Sequence, residues 1–447
     1  MAIRQRFNDF IWRPTDAHGL GVFRCLFGIL MCFAILRFWL NGWIETLILA
    51  PRYHFHYAWF PDVSVPAAPI VYGIFITVAV SALLIACGRY TRMAAFVFFV
   101  GFTYLELLDK SLYLNHYYLI SIIAFLLIWV PSDRAFSLRR QSEKPAIPIG
   151  VYQLFRIQIG LVYVFAGLAK LNSDWLIRGE PLGTWLATMS HFNVIGPLLS
   201  LPETALFMSW AGAVFDLTIC VFLIYRKTRT WAYVFACIFH VVVGWLFPIG
   251  IFSFVMMLCA TIFFDPNWCR AMLSRHSDCT SMDEDPPPSV ILNKTHRAVV
   301  VSLGCIWIAG QCLVPLRFLA YEGPVNWTEV GFRFAWRVML VEKTGTVDYR
   351  IHLPSTNREF RVYPRRILSA HQVRILPTQP DMIIEFAQQL GEEFELRYGE
   401  KVEVFADAFV SFNGRPSQPY LDPGTDLNDP NTRAERVIYP LVSDVVQ

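Results

Sequence analysis

A lysine closes the apolar run VYVFAGLAK, which ends at Lys170, where a segment long enough for lipid gives way to LNSDW. Few other polar residues sit in stretches that lipid should exclude. They include Arg24 and Arg37 in the first such stretch, Asp109 and His116 around the fourth, Arg156 beside Lys170 in the fifth, Asp216 in the sixth and His240 in the seventh. Charges placed there are costly and therefore mark either structural pairs or proton chemistry. An amine works as a base only where its charged form is disfavoured, as at a dry lipid boundary, and an imidazole can exchange protons near neutral pH. Each has a plainer role open to it: Lys170 can snorkel to water, and His116 or His240 can be hydrogen-bonded core residues. Metal chemistry has little to build on. No CxxC is present, and His54 and His56 in YHFHY have ligand-like spacing without further ligands nearby.

The elements that must position these residues follow from composition. The 447 residues are 55% hydrophobic and 16% charged, with a mean hydropathy of +0.43, which points to a polytopic membrane protein embedded in the lipid bilayer. A net charge of +3 gives no reason to expect a nucleic-acid partner. A bilayer core about 30 Å thick needs roughly 20 apolar residues per crossing. Windows of that kind lie near 19–40, 67–87, 92–109, 113–131, 151–171, 203–225, 230–247, 249–265 and 297–316, so about nine transmembrane helices are expected. With the N terminus cytoplasmic, sixteen Lys and Arg fall in inside segments and only Arg52, Lys110, Lys170 and Arg178 outside. Nine crossings then place the C-terminal part outside the cytoplasm.

Depth sorts the polar residues. At about 1.5 Å per residue, Arg156 lies roughly 8 Å from the inner end of its helix and Asp216 falls at a similar depth, so the two are expected to form a structural ion pair. Lys170 lies roughly 28 Å along, at the outer end, where Asp109, Asn115 and His116 also fall.

From about residue 317 the chain changes character. Alternating runs appear in VDYRIHL and VEVFADAFVSFNG, the second meeting a hairpin signal at Asn413-Gly414, and DMIIEFAQQLGEEFEL has helical spacing. The expected organisation is a helical membrane domain over 1–316 and a small extracytoplasmic α+β domain over 317–447. DEDPPP at 283–288 reads as a cytoplasmic linker. The ten cysteines stop at Cys312, so the C-terminal domain has no disulfide, and Cys269 and Cys279 read as free thiols of a cytoplasmic loop.

The stretches RPTDAHGLGVFRCLFG, LDKSLYLNHYYL, VYVFAGLAKLNSDW, FHVVVGWLFPIGIFSFVM, NWTEVGFRFAWRVMLV and DAFVSFNGRPSQPYLDP together resemble the vitamin K-dependent gamma-glutamyl carboxylase family, within the group sharing a horizontally transferred transmembrane domain. The resemblance implies an enzyme, a carbon–carbon lyase, that couples oxygenation of a reduced vitamin K to its epoxide with carboxylation of protein glutamate to gamma-carboxyglutamate. Its implied cofactor is a phylloquinol or menaquinol from the membrane quinone pool, with oxygen and carbon dioxide as co-substrates and no metal. Its partner is a glutamate-bearing protein or peptide. By the same resemblance Lys170 is the base, Asn115 and His116 accompany it, and Asp109, Tyr113, Trp175 and His240 belong to the pocket.

A γ C–H is too weak an acid for any side chain, so the oxidised cofactor must supply the stronger base and water must be kept out. This chain departs from the animal enzymes in having Ala169 where they carry a second lysine and Tyr113 where they have tryptophan. It also lacks the cysteine that would tie the outer domain to the membrane part, and its tail is short, which bears on propeptide recognition. Two other classes remain open: a non-catalytic membrane receptor or assembly protein sharing the fold, and a quinol-linked haem protein with His116 and His240 as axial ligands.

Overall fold

The computed structural model describes residues 2–60, 63–138, 145–273 and 293–442. The 283–288 linker, Cys279, and Arg139, Arg140, Lys144 and Arg275 of the charge count lie outside these residues. Among the described residues nine apolar helices follow one another: α1 (His18–Leu40), α2 (Ala68–Cys87), α3 (Thr91–Leu107), α4 (Asn115–Trp129), α5 (Ile149–Ala169), α6 (Pro202–Ile224), α7 (Arg229–Leu246), α8 (Phe252–Ala260) and α9 (Lys294–Leu316). Every expected segment is helical, but only six of these helices are long and apolar enough to cross a membrane. The 17 residues of α3 and 15 of α4 span about 26 and 22 Å, and α8 has 9 residues before it tightens into a 3₁₀ turn. Nine crossings were expected because the apolar windows ran on through residues outside the helices, such as Tyr113–Leu114 and Ile249–Ile251.

Close helix contacts set the bundle. A Cβ on Gly28 would lie 2.4 Å from the Ala86 nitrogen and 2.5 Å from the Ala82 oxygen, so α1 lies directly on the backbone of α2. Helix ends are satisfied by arginines from other helices. Arg24, fully buried on α1, donates to the carbonyls of Ile85, Ala86, Ser132, Ala135 and Phe136. Arg156 on α5 donates to the carbonyls of Ile262 (3.0 Å) and Phe264 (2.8 Å) beyond α8. The expected Arg156–Asp216 pair therefore does not form. Gly167 explains why: a Cβ there would lie 2.8 Å from the Leu217 side chain and 3.0 Å from its nitrogen, which places Asp216 level with the outer end of α5, far from Arg156. Equal depths along α5 and α6 would bring Arg156 and Asp216 together only if both helices began in one plane.

The region after α9 is the expected α+β unit. Strands β1 (Lys343–Leu353), β2 (Arg358–Val362), β3 (Glu403–Phe412) and β4 (Gln418–Pro419) form an antiparallel sheet in the order β2-β1-β3-β4. Val347, Tyr349, Ile351 and Leu353 point to one face with Val404, Ala406, Val410 and Phe412 beside them, the period-two pattern of a half-buried sheet. Helix α10 (Pro380–Tyr398) covers that face with Ile383, Phe386 and Leu390. Asn413 (φ 46°) and Gly414 (φ 74°) make the turn after β3, as the Asn-Gly signal predicts.

This unit docks on one end of the bundle. Phe55, from the segment after α1, is buried in the core of the sheet unit. Lys110 reaches Glu385 at 2.6 Å and Asp381 at 3.1 Å, and Arg333 joins Asp381 at 2.7 Å. At the second anchor Asp174 accepts from Arg415 (2.6 and 3.0 Å) and from Asn413 (3.0 Å). The same end of the bundle carries Lys170, Asn115 and His116.

Candidate functional site

Lys170 follows the last residue of α5 and is 6% exposed. A helical side chain leans towards the N terminus of its helix, and the lysine stem follows that direction, bringing Nζ to 3.4 Å from the Ala166 carbonyl. There Nζ meets Oδ2 of Asp216 on α6 at 2.8 Å. Lys170 is thus folded inward, not snorkelled to water. Trp175 closes the other side: Asn172 caps a short helix, Ser173–Leu176, by accepting from the Trp175 N–H at 3.1 Å, and the indole lies 5.2 Å from Nζ while donating to the Ser209 carbonyl at 2.5 Å. Lys170, Asp216, Trp175 and His240 line a cavity of about 90 Å³. His240 Nε2 is 2.9 Å from the hydroxyl of Tyr163, which lines the same space.

A larger cavity of about 580 Å³ lies next to it, walled by Arg37, Trp43, Asn115 and His116. Phe252, Val338 and Met339 belong to the walls of both cavities. The rings of His116 and His240 each pack on Phe252, at 5.9 and 6.1 Å. An aromatic ring in contact with both imidazoles, with His240 Nε2 engaged by Tyr163, does not present two axial ligands to one iron. Met339 has φ 55°, and Phe334 and Trp336 have φ 61° and 56°. Three side-chain-bearing residues in left-handed backbone within six positions store strain in the segment that walls the cavities.

The sequence-derived residues separate into three groups. Lys170, Trp175 and His240 share one cavity. Asn115 and His116 face the other, and Asn115 is fixed by donating to the Arg337 carbonyl at 3.0 Å and accepting from the Tyr113 hydroxyl at 3.0 Å. Tyr113 also accepts from the Phe334 N–H at 2.7 Å, so it ties the strained segment to α4 and walls neither cavity. Asp109 also walls neither of these two cavities. Its carboxylate accepts from the Ser111 N–H and from Gln372 Nε2, both at 2.8 Å, which uses it to seat the outer unit. Asp216, expected as a partner of Arg156, belongs to the Lys170 site.

Tyr163, Phe252, Val338 and Met339 were not singled out from the sequence. Apolar and aromatic residues in so apolar a chain carry no local signal; only their place in the quoted motifs marked them. His56 lies 3.3 Å from Glu385, and among the described residues no group of three His, Cys, Asp or Glu could hold a metal ion.

Outside the bundle the anchors are electrostatically tuned. Burial raises the Asp174 carboxyl, but the hydrogen bonds from Arg415 and Asn413 outweigh it and hold the group below its usual range. Burial likewise raises Asp381, and the charges of Arg333 and Lys110 override it, so this carboxyl also sits low. Both carboxylates are therefore ionised at neutral pH.

The apolar bundle with a docked sheet unit is a helical membrane protein, and sequence comparison gives its family. Residues 12–268 match the HTTM domain, and residues 296–441 match the "Vitamin K-dependent gamma-carboxylase, lumenal domain". The chain belongs to the HTTM-domain membrane proteins and, with both domains present, matches a short gamma-carboxylase-like family. No solved structure matches the chain.

Proposed function

We propose that this protein is an integral-membrane gamma-carboxylase that couples epoxidation of a reduced vitamin K to carboxylation of glutamate in a protein substrate, with Lys170 as the initiating base. The observation that carries the reading is the Lys170–Asp216 contact at 2.8 Å in a cavity closed by Trp175, beneath a lumenal domain of the carboxylase type. The residues present fit a quinol. The larger cavity is within the range of roughly 300–1,000 Å³ typical of small-molecule sites, its wall is apolar and aromatic, and it adjoins the lysine across Phe252 and Met339. The smaller cavity alone does not admit a naphthoquinol ring, so these two side chains turn aside when the ring reaches Lys170.

Oxygenated vitamin K supplies the base strong enough for the glutamate γ C–H. The protein does the rest. Asp216 accepts the Lys170 proton through the existing hydrogen bond, which leaves a neutral amine; Lys170 Nζ then takes the proton of the quinol hydroxyl. His116 and Asn115, held by α4 and the Arg337 carbonyl, hydrogen-bond the polar end of a ligand in the adjoining cavity. Trp175, Phe252 and the docked sheet unit exclude the water that would quench a strong base. The quinol enters from the membrane quinone pool and the peptide from the side of the sheet unit, with the N terminus in the cytoplasm.

Purified protein given reduced vitamin K, oxygen, labelled bicarbonate and a glutamate-containing peptide should form epoxide and labelled peptide together. Epoxide without label would reduce the protein to a quinol oxygenase, and neither product would leave the receptor reading in its place.

A further inference from the structure

We propose that the larger cavity seats the carboxylate of an acidic side chain from a peptide, with Arg37 as its counter-ion. Arg37 lies one turn from the outer end of α1 and is half-buried on the cavity wall. Arg24 and Arg156 donate to carbonyls beyond helix ends, Arg134 to the Ala146 carbonyl, and Arg229 to Asp265, whereas Arg297, stacked on Trp12 with its Nε unpaired, walls neither cavity. Arg37 has no hydrogen-bond acceptor and no carboxylate among the described residues. Its guanidinium carbon stands 4.7 Å from the centre of the Trp43 ring. That stacking occupies the guanidinium face and leaves its N–H edge open, the geometry a carboxylate accepts in bidentate fashion. A guanidinium kept without a partner at a water-poor boundary is costly, and an anion in the adjoining space removes that cost.

The cavity supports this occupant in two further ways. Asn115 and His116 add hydrogen-bonding groups to the same wall, and the Phe252–Met339 partition separates it from Lys170 by one side-chain layer. Arg37 and Trp43 wall only the larger cavity, so a carboxylate held there leaves the Lys170 side of Phe252 and Met339 to the quinol ring, beside the place where the base forms. The inference rests on the carboxylase reading for its substrate class, but it concerns binding alone and is measured without turnover.

The test compares two fluorescent peptides, identical except for one Glu or Gln, bound to the full-length protein in neutral-lipid nanodiscs. The parent should prefer the Glu peptide roughly tenfold to a hundredfold, the contribution of a charge-assisted bidentate bond. Arg37→Gln should erase the preference while its melting temperature stays at that of the parent, and Arg37→Lys should restore part of it. Ala34→Glu, one turn before Arg37 on the same wall, supplies an internal carboxylate and should erase the preference too, whereas Ala34→Gln should keep it. A preference that survives Arg37→Gln, or is absent from the parent, overturns the proposal. So does loss of the preference only in anionic-lipid discs through Arg37, which would give the residue to lipid phosphate. An inactive protein that still shows the Arg37-dependent preference contradicts the carboxylase reading and leaves the anion site standing.

Discussion

At the scale of single residues the site reduces to a lysine folded back against a carboxylate. Lys170→Arg should insert, fold and keep its contact with Asp216, yet form no epoxide, because a guanidinium does not give up its proton. Epoxide formation with normal yield is the check. Asp216→Asn removes the acceptor for the lysine proton and should lower turnover by about a hundredfold with the protein still folded; near-parental turnover would give the proton another route. Lys170 was legible in the sequence through its place in VYVFAGLAKLNSDW, since a lysine that merely ends an apolar helix commonly snorkels. Its partner was not. Asp216 and Arg156 stand at similar distances along their helices, and only the packing of Gly167 on Leu217 shows which cation Asp216 meets. Arg24 and Arg156 read as charges needing counter-charges, whereas each is met by backbone carbonyls at the ends of other helices.

Among elements, the α5–α6 contact sets the site. Gly167→Ala places a Cβ 2.8 Å from the Leu217 side chain, so α6 must move out and carry Asp216 from Lys170. Activity should fall more than folded yield, and Leu217→Ala in the same chain should recover part of it by removing the nearer atoms. Equal loss in the single and double variants would show that the register is not what couples the pair. The helices themselves were legible from hydropathy. Their capacity to cross was not, because hydropathy does not mark where α4 begins or where α8 tightens. The sheet unit was readable from alternation and from Asn413-Gly414, but Asn413 has a second task that no turn signal encodes: its side chain reaches Asp174.

For the whole molecule, ion pairs at Asp174 and at Asp381 join the sheet unit to the bundle. Asp174 is held below its usual range when docked, so its contribution is full above about pH 4, the range of a free aspartate, and is lost as pH falls through the lower docked value. Asp174→Asn should lower the melting temperature at pH 7 and flatten its fall between roughly pH 5 and pH 3; an unchanged acid limb would mean that the anchor does not set docking. A reporter fused after Leu316 should be active only outside the cytoplasm, and reversed signals would invert the proposed orientation. The most direct measurement of the central claim takes Lys170→Ala, purified beside the parent and matched for monodispersity, and scores epoxide and labelled peptide with and without a small external amine. Both products should vanish in the variant, because they share one first proton transfer, and the amine should partly restore both. Near-parental epoxide from Lys170→Ala, in a preparation where the parent is active, would contradict Lys170 as the base.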